Sequence, residues 1–151
     1  MARDTKSIGV AFRDQFLENA EFLNCTTLGS DVVKHVPVAI NATATATAAQ
    51  VASGYITSTS AAATTITLPT GTLLGAALGA VSGTVFDLFI DNTAGASTVT
   101  IAVAVNGILS ALAAAEAGGS GLLTVPAGVT GQACYRLMFS SATAYTFTRI
   151  A

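Results

Sequence analysis

The stretch VFDLFIDNTAGASTVTIAV, residues 85–103, carries the clearest fold signal in this chain. In its first half, Phe86, Leu88 and Ile90 share one side of the predicted strand, and Asp87 and Asp91 share the other. A period of two is typical of a half-buried β-strand. After the loop TAGAS, Val99, Ile101, Val103 and Val105 line one side of a second strand, so the region predicts an antiparallel hairpin.

The C-terminal region predicts a second hairpin. One face is shared by alternate residues on both sides of the turn SSAT (140–143): Ala133, Tyr135, Leu137 and Phe139, then Tyr145, Phe147 and Arg149. The aromatic rings are candidates for stacking a sugar or a base. Rings that alternate on neighbouring strands are more often sheet core or cross-strand pairs, and we favour that interpretation.

Shorter elements fill the space between the two hairpins. Thr64–Leu68 and Leu122–Val125 read as strands, each closed by a proline. Residues 108–117 have high helix propensity and end at a Gly-Gly pair. Residues 72–80 are compatible with a loop, a short helix or a buried strand.

The N-terminal region differs from the rest in composition. Ile8, Val10 and Phe12 alternate as in an extended arm, and helical spacing follows over residues 13–23. Residues 41–50, NATATATAAQ, fit a strand or a linker.

These patterns predict a mainly β chain in three parts, with an antiparallel β-sandwich or jelly-roll-like body. The parts are an arm with a short helix (1–36), an Ala/Thr-rich strand or linker (37–54) and the body (55–151).

Charge is scarce and unevenly placed. Of 151 residues, 52% are hydrophobic and 9% are charged, whereas an average domain is about 25% charged. Nine of the 14 charged residues lie in the first 34, and residues 35–86 contain none. The body therefore uses Thr, Ser, Asn and Gly as its polar face or buries its faces against other subunits. A net charge of −2 and the lack of a Lys/Arg cluster argue against a nucleic-acid partner.

The apolar stretch Gly71–Ile90 raises the question of a membrane span. Its glycines recur every four residues, at positions 71, 75, 79 and 83, which is a packing motif of membrane helices. No basic residue or aromatic belt flanks the stretch, and a strand pattern begins at Val85. We therefore expect no membrane span, and we interpret the glycines as close backbone packing or turns. The N-terminus has no apolar core of signal-peptide length, so export is not expected.

Candidate chemical sites are few. His35 is the single histidine, and with Asp31 and a serine it suggests a hydrolase triad only weakly, because no GxSxG elbow accompanies it.

Cys25 and Cys134 lack metal-ligand spacing and are expected to be buried reduced thiols. Asp87 and Asp91 lie roughly 13 Å apart along a strand, too far for a glycosidase pair, and are expected to be solvent-facing or interface groups. We predict no enzyme, no catalytic residue, no metal site and no cofactor.

Four segments together suggest a family: ITLPTGTLLGAAL (66–78), VFDLFIDNTAGASTVTIAV (85–103), LTVPAG (123–128) and SSATAYTFTRIA (140–151). Over about residues 55–151 the chain resembles the small head-decoration, or cement, proteins of tailed bacteriophages. The resemblance implies a homotrimer that lies on the outside of the capsid and binds the major capsid protein. Such a subunit bridges capsomers and resists the pressure of packaged DNA.

The resemblance transfers no interface residues. From composition alone, we expect the arm to dock on a neighbouring subunit through Ile8, Val10, Phe12 and Phe16. Similar β-modules occur in phage tail and fibre proteins, so the alternative function is a module that binds a carbohydrate receptor or another tail protein.

Overall fold

The computed structural model describes residues 34–109 and 123–150. The chain divides after Lys34 into two units, of which the second begins at His35. Its elements in chain order are β1 (Val38–Ala39), β2 (Ala44–Thr45), α1 (Ala48–Ala52), β3 (Tyr55–Thr57), β4 (Thr64–Thr67), α2 (Gly71–Leu78), β5 (Val85–Asp91), β6 (Val99–Ala102), β7 (Gly107–Leu109), β8 (Thr124–Val125), a 3-10 turn (Gly128–Thr130), β9 (Gln132–Ser141) and β10 (Ala144–Arg149).

The strands form two mixed sheets. The six-stranded sheet has the order β1–β3–β5–β9–β10–β7, and the four-stranded sheet has the order β2–β4–β6–β8. Among the described strands, five pairings are parallel and three are antiparallel. The prediction of a mainly β chain is confirmed, whereas the prediction of antiparallel sheets is wrong.

Four of the five parallel pairings arise because β1 to β6 alternate between the two sheets, and the fifth joins β7 to β10. Within this stretch, each strand of the six-stranded sheet is followed by one of the four-stranded sheet, after which the chain returns to the six-stranded sheet. We call each such pair a coil: β1 and β2, β3 and β4, β5 and β6. Strands that return to a sheet after a crossover run parallel, so the three coils stack like those of a short solenoid.

Apolar columns join the coils through the core. In the six-stranded sheet, Val38 pairs with Ile56, and Ile56 pairs with Ile90. In the four-stranded sheet, Ile66 pairs with Ile101, and both side chains are fully buried. Buried residues of both sheets belong to one apolar cluster, which is the core shared by the two sheets.

The first two coils each end in a helix capped by a threonine. The Thr47 hydroxyl accepts a hydrogen bond from the Gln50 amide, and the Gln50 side chain accepts one from the Thr47 amide, which completes a capping box at α1. The Thr70 hydroxyl accepts from the Leu73 amide at the start of α2. In both coils the second strand ends shortly before the threonine that caps the helix: β2 ends at Thr45 before Thr47, and β4 ends at Thr67 before Thr70.

The recurring glycines serve α2 and the turn after it. A Cβ on Gly71 or Gly75 would clash with the backbone carbonyls of Thr143 or Ala142 in the β9–β10 turn, so both positions require close packing. Gly79 ends α2 in the left-handed conformation with φ of 59°. The prediction of close packing and turns is confirmed. Residues 72–80, whose structure the sequence left open, are mostly helical.

The predicted hairpin over residues 85–105 is wrong. β5 pairs with β3 and β9, whereas β6 belongs to the other sheet. The chain changes sheet at Asn92, whose fully buried side-chain amide donates to the carbonyls of Ser97, Val125 and Pro126. These three hydrogen bonds stabilise a corner at the position where the sequence predicted a hairpin turn.

The predicted C-terminal hairpin is confirmed. β9 and β10 pair antiparallel, and the rings of Tyr135 and Phe147 stack across them with centroids 4.7 Å apart. Both rings are fully buried, as is Tyr145, whose hydroxyl donates to the Pro69 carbonyl. The interpretation of these rings as sheet core is also confirmed.

The remaining predictions have mixed outcomes. Residues 37–54, left open between strand and linker, contain β1, β2 and α1. The helix predicted over 108–117 is wrong at its start, because Ile108 and Leu109 belong to β7, which pairs with β10. The rest of that segment lies outside the described residues. So do the predicted arm and helix, the interface residues Ile8, Val10, Phe12 and Phe16, and Cys25 and Asp31.

Candidate interaction surface

The six-stranded sheet has one face on the core and one face turned away from it. Because side chains alternate along a strand, the second face consists of the residues between the buried ones. We call it the outer face, and on the central strands it comprises Tyr55, Thr57, Val85, Asp87, Phe89, Asp91, Gln132, Cys134, Arg136, Met138, Thr146 and Thr148.

Rows of side chains cross the outer face. Three successive rows join β5 to β9 as follows: Val85 with Met138, Asp87 with Arg136, and Phe89 with Cys134. Successive rows are about 7 Å apart, twice the rise per residue of a strand. The sheet therefore presents an apolar row, a charged row and a second apolar row.

Large apolar side chains are exposed in both apolar rows. Val85 and Met138 are each 51% exposed, and Phe89 is 38% exposed. Ile150, 46% exposed, extends the second apolar row, because its amide donates to the Cys134 carbonyl at 2.8 Å. The other large exposed apolar residues of the described ranges lie in loops, the 3-10 turn or α2. The outer face is therefore the site where such residues lie together on one sheet.

The charged row contains a bidentate ion pair. Arg136 Nε donates to Asp87 Oδ1 and Arg136 Nη2 donates to Asp87 Oδ2, both at 2.7 Å. The hydrogen bonds from Arg136 lower the pKa of the Asp87 carboxyl. The row is neutral overall, so it leaves no uncompensated charge between the two apolar rows.

A depression of about 210 Å³ lies at one end of the second apolar row. The side chains that form it belong to three strands: Tyr55 from β3, Phe89 and Asp91 from β5, and Gln132 and Cys134 from β9. We refer to it as the Asp91 depression. His35 contacts Phe89, with its ring centroid 5.7 Å from that of Phe89 and its Nδ1 3.0 Å from the Ser53 carbonyl oxygen.

Asp91 is held by neutral donors. The Tyr55 hydroxyl donates to Asp91 Oδ2 at 2.8 Å, and the Thr93 amide and hydroxyl donate to Oδ1 at 2.9 and 2.6 Å. The hydrogen bonds from Thr93 lower the pKa of the Asp91 carboxyl, and the bond to Asp91 raises the pKa of Tyr55. Asp91 is therefore an anion that only accepts hydrogen bonds.

Cys134 is an unpaired, buried thiol in the Asp91 depression. Burial raises its pKa, so the thiol is protonated at neutral pH and a poor nucleophile. This confirms the sequence prediction for Cys134.

The structure places the two candidate carboxylates on one strand face, as the alternation predicted. It gives them different partners: a cation for Asp87, and two hydroxyls and a backbone amide for Asp91. Sequence reasoning missed the contributions of Tyr55, Gln132 and Cys134, which come from strands distant in sequence. The one signal of this site that the sequence contained was Phe89, an apolar residue on the acidic side of β5.

Metal-ligand clusters and helices that could span a membrane are both absent from the described residues. Within residues 34–109 and 123–150, no three His, Cys, Asp or Glu side chains lie close enough together to hold a metal ion. No helix in those ranges has both the length and the apolar character to cross a membrane. The apolar stretch that suggested a span is divided between α2 and β5.

Comparisons of the chain with protein-family models, with curated proteins and with solved structures gave no significant match.

Proposed function

We propose that this protein is a structural subunit of a phage virion, which binds the outside of the capsid through the outer face and stabilises the shell by bridging capsomers. The observation that carries the proposal is the exposed apolar side chains in two rows of that face, on either side of a neutral ion pair. Exposed apolar residues clustered on one face are typical of interaction sites.

Composition supports the same function. The described body holds few charges, and a chain that is 9% charged presents little of the solvated surface that a free monomer needs. Contact with the major capsid protein and with other copies of the chain would remove the apolar rows from water. The resemblance to cement proteins adds the location on the capsid exterior and the homotrimer.

The test uses expanded capsid shells assembled from the major capsid protein encoded in the same genome. Cosedimentation of the purified protein with these shells should be saturable. Met138→Lys places a charge in the first apolar row and should weaken attachment by about tenfold or more, since a buried unpaired charge is costly. Val129→Lys is the matched control, because Val129 is fully exposed on the 3-10 turn. Absence of attachment, or equal attachment of both variants, would contradict the proposal.

A second candidate is a tail or fibre module that binds a carbohydrate receptor or another tail protein. The observation that favours it is the stack of three coils, because solenoid architectures extend along one axis as a fibre does. Binding on a glycan array, together with no attachment to capsid shells, would support this candidate over the first.

A further inference from the structure

The Asp91 depression combines three features that suit it to binding a cation. It is concave, it has the two aromatic side chains of Tyr55 and Phe89 in its lining, and it contains a carboxylate. Its volume of about 210 Å³ suits a single side chain or a small molecule better than a larger ligand.

The two carboxylates of the outer face differ in whether a cation compensates their negative charge. Asp87 is neutralised by Arg136, whereas in the described part of the chain no ion pair involves Asp91. Hydrogen bonds from Tyr55 and Thr93 orient the Asp91 carboxylate without cancelling its charge. Oδ2 accepts one hydrogen bond, from Tyr55, and so retains capacity for a second donor.

Docking of the outer face would take Asp91 out of water together with the apolar rows beside it. A carboxylate buried without a cation is strongly destabilising, and one paired with a hydrogen-bonded cation is tolerated. The partner therefore needs a positive group opposite the depression. An organic cation also fits the lining, because aromatic faces attract cations and cover the apolar stem of Lys or Arg.

We propose that the Asp91 depression binds an organic ammonium or guanidinium group, presented as a Lys or Arg side chain of the protein on which the outer face docks. The assignment of the partner rests on the proposed function. The affinity of the depression for the cation itself does not.

The first experiment titrates the full-length protein with n-butylammonium and follows backbone amide shifts at 89–92 and 132–134 by NMR. Saturable shifts confined to these residues are expected, with binding at least about tenfold tighter than that of n-butanol, because the butanol lacks the charge. Equal binding of butanol, or no binding of either compound, would overturn the proposal.

Two variants with the same change of charge locate the site. Asp91→Asn should weaken butylammonium binding about tenfold while Oδ1 of the new amide still accepts hydrogen bonds. Asp87→Asn on the same face should leave binding within about twofold, and the amide spectrum of each variant reports that its fold is intact. Retained binding in Asp91→Asn would overturn the assignment of the site.

The capsid shells test the source of the cation. Asp91→Asn should lose attachment by about tenfold relative to the wild type, since a partner cation would then be buried unpaired. Unchanged attachment of this variant would refute a partner cation at the depression. If the wild type binds butylammonium through Asp91 but does not attach to shells, the proposed function fails and the cation site stands.

Discussion

The coils and the C-terminal hairpin both contribute strands to the six-stranded sheet, but they are stabilised by different means. The coil strands β1 to β4 have two to four residues each, rich in Ala and Thr, and pair in parallel with strands of the neighbouring coils. β9 and β10 have ten and six residues, pair antiparallel through a tight turn and contribute stacked aromatic rings. The hairpin concentrates its stabilisation in a few large side chains, whereas the coils distribute theirs over many small contacts.

Polar side chains link the coils where the strands are too short to do so alone. The Thr59 amide donates to Asn41 Oδ1 and the Thr65 amide donates to the Thr43 hydroxyl, each bond joining the first coil to the second. The threonines and asparagines of a charge-poor sequence therefore satisfy backbone groups that a longer ladder would have paired.

Alkaline pH should produce the largest effect, and it should act through the hairpin. Burial raises the pKa of Tyr135 and of Tyr145 to about 12, from an ordinary value of about 10. The stability linked to these rings is complete below about pH 10 and is lost as pH rises toward 12, up to about 5 kcal/mol for both. Phenolate absorbance should therefore rise together with unfolding. Tyr55→Phe should leave this coupling unchanged, whereas independent ionisation of the buried rings in folded protein would contradict the prediction.

Phe147→Ala should destabilise the protein by about 3–5 kcal/mol, because it removes a fully buried ring that stacks on Tyr135. Chemical denaturation measures the loss. The matched coil variant, Ile66→Val, removes one buried methyl group and should cost about 0.5–1.5 kcal/mol. Similar losses in the two variants would remove the contrast between hairpin and coils.

Gly75→Ala should destabilise by about 1–3 kcal/mol although alanine favours helices, because the new Cβ would clash with the Ala142 carbonyl of the hairpin turn. The control is Ala76→Gly on the exposed side of α2, which should cost about 1 kcal/mol through helix propensity alone. A stabilised Gly75→Ala protein would show that α2 does not need its close approach to the hairpin.

Thr47→Ala and Thr70→Ala should each cost about 1 kcal/mol in the free energy of unfolding, since each removes a helix cap. Equal losses would support the equivalence of the first two coils. Thr→Ser at either position retains the hydroxyl and serves as the control. A loss at one threonine alone would argue against the equivalence.

The smallest effect is expected at the Asp87–Arg136 pair, which is partly exposed to solvent. Because the pKa of Asp87 is lowered in the folded protein, the pair stabilises it above the ordinary carboxyl pKa of about 3.9, and this contribution is lost as pH falls through the lowered value. Asp87→Asn should flatten the acid side of the stability curve, and added salt should have a similar effect on the wild type. An unchanged acid limb would contradict this.

Local pattern predicted what local interactions determine. The alternation over residues 133–149 identified a true hairpin, because its partner strands are adjacent in sequence and register is set by the turn. The same reasoning failed at 85–105, where the buried Asn92 amide bonds to carbonyls as far away as Pro126 and turns the chain into the other sheet. The Asp91 depression escaped prediction for the same reason, since Tyr55 and Gln132 reach it from strands far apart in the chain.

Four features could be predicted from the amino-acid sequence alone: the mainly β character of the chain, the faces of β5, β9 and β10, the packing role of the glycines in α2, and the scarcity of charge. Strand period, side-chain size and composition are properties of neighbouring residues. The long-range contacts of the fold were needed to show that the sheets are mixed and that the first six strands alternate between them. They also showed that, among the described residues, Asp87 has a cationic partner and Asp91 has none. Those outcomes depend on which distant strands lie side by side, and the free energy that selects them comes from the shared core and from buried hydrogen bonds.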